Sequence, residues 1–285
     1  MTSLAIKRLV VAAALFSLTV SASVSALVLH PANNPTSSPV DAVVGRWGSN
    51  ASAVVVSSTH VITTRHQGGG VGTNVIIDGT TYVVAEVTNA PGSVDLRVAR
   101  IETLGGSAAG LTDFVSIYTN TDEVGQTHAL GGFGEGRGSD ILSGPNVIGY
   151  DWDGATGTQR WGANKVTSTI NDANVGAFTN DLLVATFEAP GEGGNPLGAG
   201  VAGEATIADN DSGGGWFIND GGTWKVAALS QAVENPDEAL FDEELYGVRL
   251  SSYSMFINNT VPEPGSAALL LIAAAGLVTR RRRSA

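Results

Sequence analysis

The chain predicts an all-β fold, on three observations. From Val43 onward, short hydrophobic runs such as Ala53–Val56, Val61–Thr64, Val75–Ile77 and Leu96–Ile101 are broken by Gly, Asn or Asp every 8–15 residues. Asp78-Gly79 lies between two β-branched runs, a strong short-hairpin signal. No amphipathic helix of ordinary length occurs before Ser252 to Asn258. Many short strands with few helices describe a sandwich or a set of barrels. Glycine supplies 37 of 285 residues, and the tight turns of such a fold account for most of that excess.

The two ends read as addresses rather than as fold. Lys7 and Arg8, the apolar run Leu9 to Val20 and the small residues Val24-Ser25-Ala26 form a secretory signal over residues 1–26. At the other end, Val261-Pro262-Glu263-Pro264 precedes an apolar segment, Gly265 to Thr279, and then Arg280 to Arg283. The arginines would hold that segment's end in the cytoplasm. This order resembles the PEP-CTERM sorting signal of Gram-negative bacteria, here over 261–285 with a transmembrane segment at 265–279. The resemblance implies transient insertion in the inner membrane, removal by an exosortase-type enzyme, and a destination in the cell envelope or extracellular matrix. A permanent membrane anchor is the competing reading of either end.

Between the ends lie 238 residues, Leu27 to Pro264, carrying nine Lys and Arg against 27 Asp and Glu, a formal −18. That length suits one large all-β domain or two small barrels. The charge excludes nucleic acid and anionic membrane surfaces as partners and favours solubility. Without a single cysteine, the fold must be held by packing even though export would permit disulfides.

Residues 27–42, rich in Pro, Asn and Ser, read as a loose leader. Arg46-Trp47-Gly48-Ser49-Asn50 is echoed by Arg160-Trp161-Gly162-Ala163-Asn164. The two segments suggest equivalent opening strands of two similar barrels, or only a shared turn preference.

The chemistry centres on Asp209-Asn210-Asp211-Ser212-Gly213-Gly214-Gly215. Glycines after the serine let the backbone take positive φ and let a substrate carbonyl come close. A calcium loop is the alternative, and Gly213 and Asp220 depart from its pattern at the fifth and twelfth places. A serine hydroxyl needs a base within hydrogen-bond reach, and the base needs a carboxylate to orient it. Of the four histidines, His66 ends the run Val61-Ile62-Thr63-Thr64-Arg65-His66, while His30 lies in the leader. His60 reads as structural or solvated, and His128 as a surface or cross-strand residue. Asp95 opens the strand Asp95-Leu96-Arg97-Val98-Ala99-Arg100-Ile101.

These segments resemble chymotrypsin-like serine proteases: the strand-then-histidine segment at His66, the strand-start aspartate at Asp95, and the Gly-Asp-Ser-Gly-Gly loop at Ser212. Their order along the chain is that family's order. Gly131-Gly132-Phe133-Gly134, Trp224 to Ser230 and the closing helix after Tyr246 to Leu250 extend the resemblance over 43–258. It implies two antiparallel six-stranded barrels, about 43–150 and 159–250, and a His66–Asp95–Ser212 triad. It also implies an oxyanion hole from the N–H groups of Asn210 and Ser212, and a substrate pocket at Thr206, Ser230, Gln231 and Ala232. No cofactor or metal is implied, and the partner is a protein or peptide substrate.

Two departures bear on the chemistry. Asn210 replaces the family's glycine, although Asn tolerates positive φ. Asp211 matches the aspartate that pairs with a newly cut N-terminus, yet no activation site is evident before Val43, so another partner such as a backbone N–H or an Arg is expected. Thr206 in place of a carboxylate argues against Arg or Lys preference, and small or uncharged side chains are expected. The implied activity is an exported serine endopeptidase. A catalytically silent barrel that binds envelope polysaccharide or protein is the rival, and an esterase on the same scaffold is a third reading.

Overall fold

The computed structural model describes residues 27–29, 37–189 and 200–261. The signal over 1–26, His30, and the sorting signal beyond Val261 lie outside the described residues. Among the described residues, no helix is long and apolar enough to cross a membrane.

The all-β expectation holds, as two closed barrels. The first closes through Val44–Trp47, Ala51–Val55, His60–Thr63, Arg97–Thr103, Thr80–Asn89 and Asn74–Ile77, each antiparallel to the next. Its filling is largely β-branched: Val55, Val61, Val75, Val84 and Ile101 beside Trp47. Asp78 (φ 45°) and Gly79 (φ 71°) form the turn expected of them, since a hairpin turn with positive φ at both central residues matches the strand twist.

The second barrel runs Gly215–Asp220, Thr127–Gly132, Arg160–Val175, Phe178–Thr186, Glu244–Arg249 and Thr223–Val233, the first and last pairing to close it. Leu130, Val166, Leu183, Trp216, Ile218 and Leu245 fill it. Closure removes the open edges that would otherwise invite pairing with another chain. Val54, Ile62, Leu96, Phe133, Trp161, Phe217 and Leu229 form one buried cluster drawn from both barrels. At roughly 1.5–3 kcal/mol for each large apolar side chain, that cluster fixes one barrel on the other without a disulfide. The described residues close with a short helix, Ser254–Thr260, after the 3₁₀ turn Leu250–Tyr253.

Three details differ from the sequence reading. The second barrel opens at Thr127, well before the expected 159, because Gly131 and Gly132 lie against Trp161 and Asp211, where a Cβ would collide. So glycine-rich a strand carries no readable hydrophobic period. The echoed Arg-Trp segments are not equivalent: Arg46-Trp47 is in the first strand of one barrel, Arg160-Trp161 opens the second strand of the other. Finally, the leader is not loose at its start. Leu27, Val28 and Leu29 are buried, and Val28 and Leu29 pair with Thr206 and Ala205.

Candidate active site

His66, Asp95 and Ser212 meet in the cleft between the barrels. His66 follows directly on the strand His60–Thr63, and Asp95 stands just before Arg97–Thr103, the strand paired with it. Ser212 lies on the turn before Gly215–Asp220 in the other barrel. His66 Nε2 is 2.7 Å from Ser212 Oγ, and His66 Nδ1 is 2.6 Å from Asp95 Oδ2. Asp95 Oδ1 accepts the backbone N–H groups of Arg65 (2.6 Å) and His66 (2.9 Å). Burial alone would push the Asp95 carboxyl up. The hydrogen bond and charge of His66, with those two N–H groups, hold it below the usual carboxylate range. Asp95 is therefore a fully buried carboxylate kept ionised beside an imidazole.

Arg65, next to His66 in the chain, points its guanidinium at the loop before Asp95. It donates to the carbonyls of Gly92 (3.1 Å) and Val94 (2.8 Å), bracing the loop that carries Asp95. His60 accepts or donates at Nδ1 with Ser57 and Thr59, and burial and the nearby Arg100 lower its pKa. His128 is buried rather than superficial. It stacks on Trp216 of the neighbouring strand at 4.6 Å, and burial lowers its pKa to about 3, so it stays neutral.

The nucleophile turn demands its glycines. Gly213 has φ 80°, and a Cβ there would lie 2.3 Å from the Ser52 carbonyl oxygen. Asn210 takes φ 69°, the conformation expected of it. Its side-chain oxygen accepts from Asn50 Nδ2 at 2.5 Å, which anchors the residue in that region. Its backbone N–H donates to the carboxylate Oδ1 of Asp209 at 3.0 Å. A carboxylate beside that N–H opposes any negative charge developing on a bound carbonyl oxygen. Asp209→Ala is therefore expected to speed covalent labelling of Ser212 several-fold, read as a second-order rate with an organophosphorus probe. Slower labelling would show that the Asp209 contact supports the loop instead.

Asp211 is fully buried. Its Oδ1 accepts the N–H of Gly134 (2.8 Å) and its Oδ2 that of Ala208 (2.9 Å). The backbone N–H of Leu27 also bonds to it and Arg160 attracts it, yet burial pushes its pKa up to about 7. The backbone partners expected for Asp211 are thus present, and one comes from the supposedly loose leader.

A cavity of about 250 Å³ adjoins Ser212 and His66, walled by Trp152, Ile207, Ala208, Asp209, Gln231, Ala232, Val233 and Pro236. Gln231 and Ala232 line it, as expected. Thr206 and Ser230 do not: Thr206 is buried in the pairing with Val28, and Ser230 Oγ accepts from Trp216 Nε1 at 3.1 Å. Sequence reasoning missed what Gln231 does besides: its Nε2 donates to Asp95 Oδ2 at 3.0 Å. Among the described residues, no group of three or more His, Asp or Glu is placed to hold a metal ion.

No protein-family model matches the chain, and no curated protein does. Among solved structures, the chain is similar to neuropsin, a serine protease expressed in the limbic system of mouse brain. The TM-score is 0.54 at 15% identity, over 80% of this chain and 98% of that one. The likeness shows the fold: this chain has the chymotrypsin-like double β-barrel fold.

Proposed function

We propose that the protein is a serine hydrolase acting on peptide bonds. The observation that carries the reading is the continuous pair of short contacts, Ser212 Oγ to His66 Nε2 and His66 Nδ1 to Asp95 Oδ2. Ser212 attacks the scissile carbonyl as His66 takes its proton, giving a tetrahedral intermediate whose oxyanion takes the N–H of Ser212 and that of Asn210 once the latter is released from Asp209. Collapse expels the amine, which receives the proton from His66. Water, deprotonated by His66, then releases the acid. Asp95 holds the imidazole in one tautomer and stabilises its cation. The 250 Å³ cavity beside Ser212 supports a preference for uncharged side chains of modest size.

The reading extends to export. The N-terminal signal exports the chain, a cut after Ala26 begins the mature chain at Leu27, and the C-terminal Pro-Glu-Pro signal holds it transiently in the inner membrane until an exosortase-type enzyme removes the tail for the cell envelope or extracellular matrix. The test is a fluorophosphonate probe on purified protein, which needs no known substrate. Labelling of the wild type, with none of Ser212→Ala and strongly reduced labelling of His66→Ala, is expected. A folded wild type that stays unlabelled would instead favour a silent barrel binding envelope ligands.

A further inference from the structure

The N–H of Asn210 serves an oxyanion only while that residue keeps its φ of 69°. Glycine takes this left-handed backbone freely, whereas a residue with a Cβ takes it at a cost, smallest for Asn and Asp. In this structure the same N–H donates to Asp209 Oδ1 at 3.0 Å. To meet a substrate it must change partner, and residue 210 must keep its left-handed conformation as it does so. Something other than the N–H has to hold it.

That hold comes from the opposite barrel. Asn50 ends the turn between the strands Val44–Trp47 and Ala51–Val55. Its amide is oriented from both sides: Ser49 Oγ donates to Asn50 Oδ1 at 2.9 Å, and Asn50 Nδ2 donates to Asn210 Oδ1 at 2.5 Å. Two residues on, Ser52 is fully buried. Its N–H donates to the Ser212 carbonyl at 2.9 Å, and its Oγ accepts the Phe133 N–H at 3.0 Å. Asn50 and Ser52 thus grip the nucleophile turn on either side of Asp211, one at a side chain and the other at a carbonyl. The mount is rigid, because Ala51–Val55 is buried along its length and paired on both edges. The Asn50–Asn210 bond itself lies at the surface, so it bears on where residue 210 points more than on the stability of the barrels.

We propose that Asn50 is a positioning residue for the oxyanion hole. Its amide holds the Asn210 side chain and so keeps the Asn210 N–H aimed at the substrate oxygen. An Asn50–Asn210 pair split between the barrels then does what a glycine would do alone. The inference rests on the hydrolase reading above.

Fluorophosphonate labelling of Ser212 tests it, on the wild type, Asn50→Ala, Asn210→Gly and the double variant. The maximal rate and the half-saturating probe concentration are measured separately. Asn50→Ala is expected to lower the maximal rate roughly tenfold, a smaller loss than the 10²–10³ typical of removing a whole donor. The half-saturating concentration and the thermal midpoint should stay close to wild type, which a general loosening of the fold would not allow. Asn210→Gly should label at least as fast as the wild type. Adding Asn50→Ala to it should change nothing, since no side chain is left to hold. A wild-type rate in a folded Asn50→Ala variant, or an equal loss in the Asn210→Gly background, would overturn the proposal. Should Asn50→Ala not fold, Asn210→Ala removes the same bond from its other end, and a wild-type maximal rate there would overturn it equally. A wild type that never labels sinks the hydrolase reading and this inference with it, whereas a labelled wild type with indifferent variants sinks the inference alone.

Discussion

Asp95→Asn is expected to lower kcat and the labelling rate by about 10⁴ while leaving the barrels folded. The Asn side-chain oxygen can still accept the Arg65 and His66 N–H groups that Asp95 Oδ1 now takes, so those two donors keep their partner. Its amide nitrogen, however, donates where Oδ2 now accepts from His66 Nδ1. The imidazole must then turn its acceptor nitrogen toward residue 95 and its N–H toward Ser212, the wrong tautomer for a base. Asp95→Ala separates chemistry from architecture. It leaves those two N–H groups in a buried site without their partner, at about 1–3 kcal/mol for each unsatisfied group, so its thermal midpoint should fall well below that of Asp95→Asn while its activity is no better. Equal activity of Asp95→Asn and wild type would remove Asp95 from the mechanism.

The three residues of this pair of contacts were legible because each has a local signature: a β-run ending in His66, a carboxylate opening a strand, and a serine followed by glycines. The barrels were legible from the spacing of short β-branched runs, and the Asp78-Gly79 turn from its residue types alone. What stayed hidden depends on tertiary neighbours. Gln231 follows the serine that the resemblance marked. Its amide reaches Asp95, whereas Ser230 Oγ accepts the indole N–H of Trp216. The resemblance implies Thr206 in the pocket, but it is buried in the pairing with Val28 and does not line the cavity. Strand Thr127–Gly132 has no hydrophobic alternation to read, since its glycines are fixed by the bulk of Trp161 and Asp211. The leader was misjudged for a related reason: Leu27-Val28-Leu29 is too short to register as a strand until Ala205-Thr206 is beside it.

That last contact leads to the other large expected effect. Protein beginning at Leu27 with a free α-amino group is expected to label on the order of 10²-fold faster than the same domain with residues still attached ahead of Leu27, and Asp211→Asn should abolish the difference. In the uncut chain Asp211 is fully buried, with backbone N–H groups as its close partners and a pKa of about 7. A buried carboxyl so placed is neutralised rather than left charged. Leu27 has φ 62°, a left-handed conformation costing a side chain of this kind about 1–2 kcal/mol. Cutting the preceding bond abolishes that torsion's steric conflict and converts the N–H bonded to Asp211 into an ammonium. The ion pair then fixes the backbone of Asp211, and with it the N–H groups of Asn210 and Ser212 on either side. Losing one such donor typically costs about 10²–10³ in turnover, which sets the size of the effect. The pH dependence of stability checks the same idea by a second route. With the raised folded pKa of the uncut form, the Asp211 contribution is full below the ordinary carboxylate pKa near 3.8 and fades as pH rises through about 7. The cut form, with its carboxylate paired, should lack that decline. Parallel thermal midpoints across this range, together with equal labelling rates, would detach Leu27 from the site, whereas divergence would make the proposed export cut after Ala26 the step that completes it.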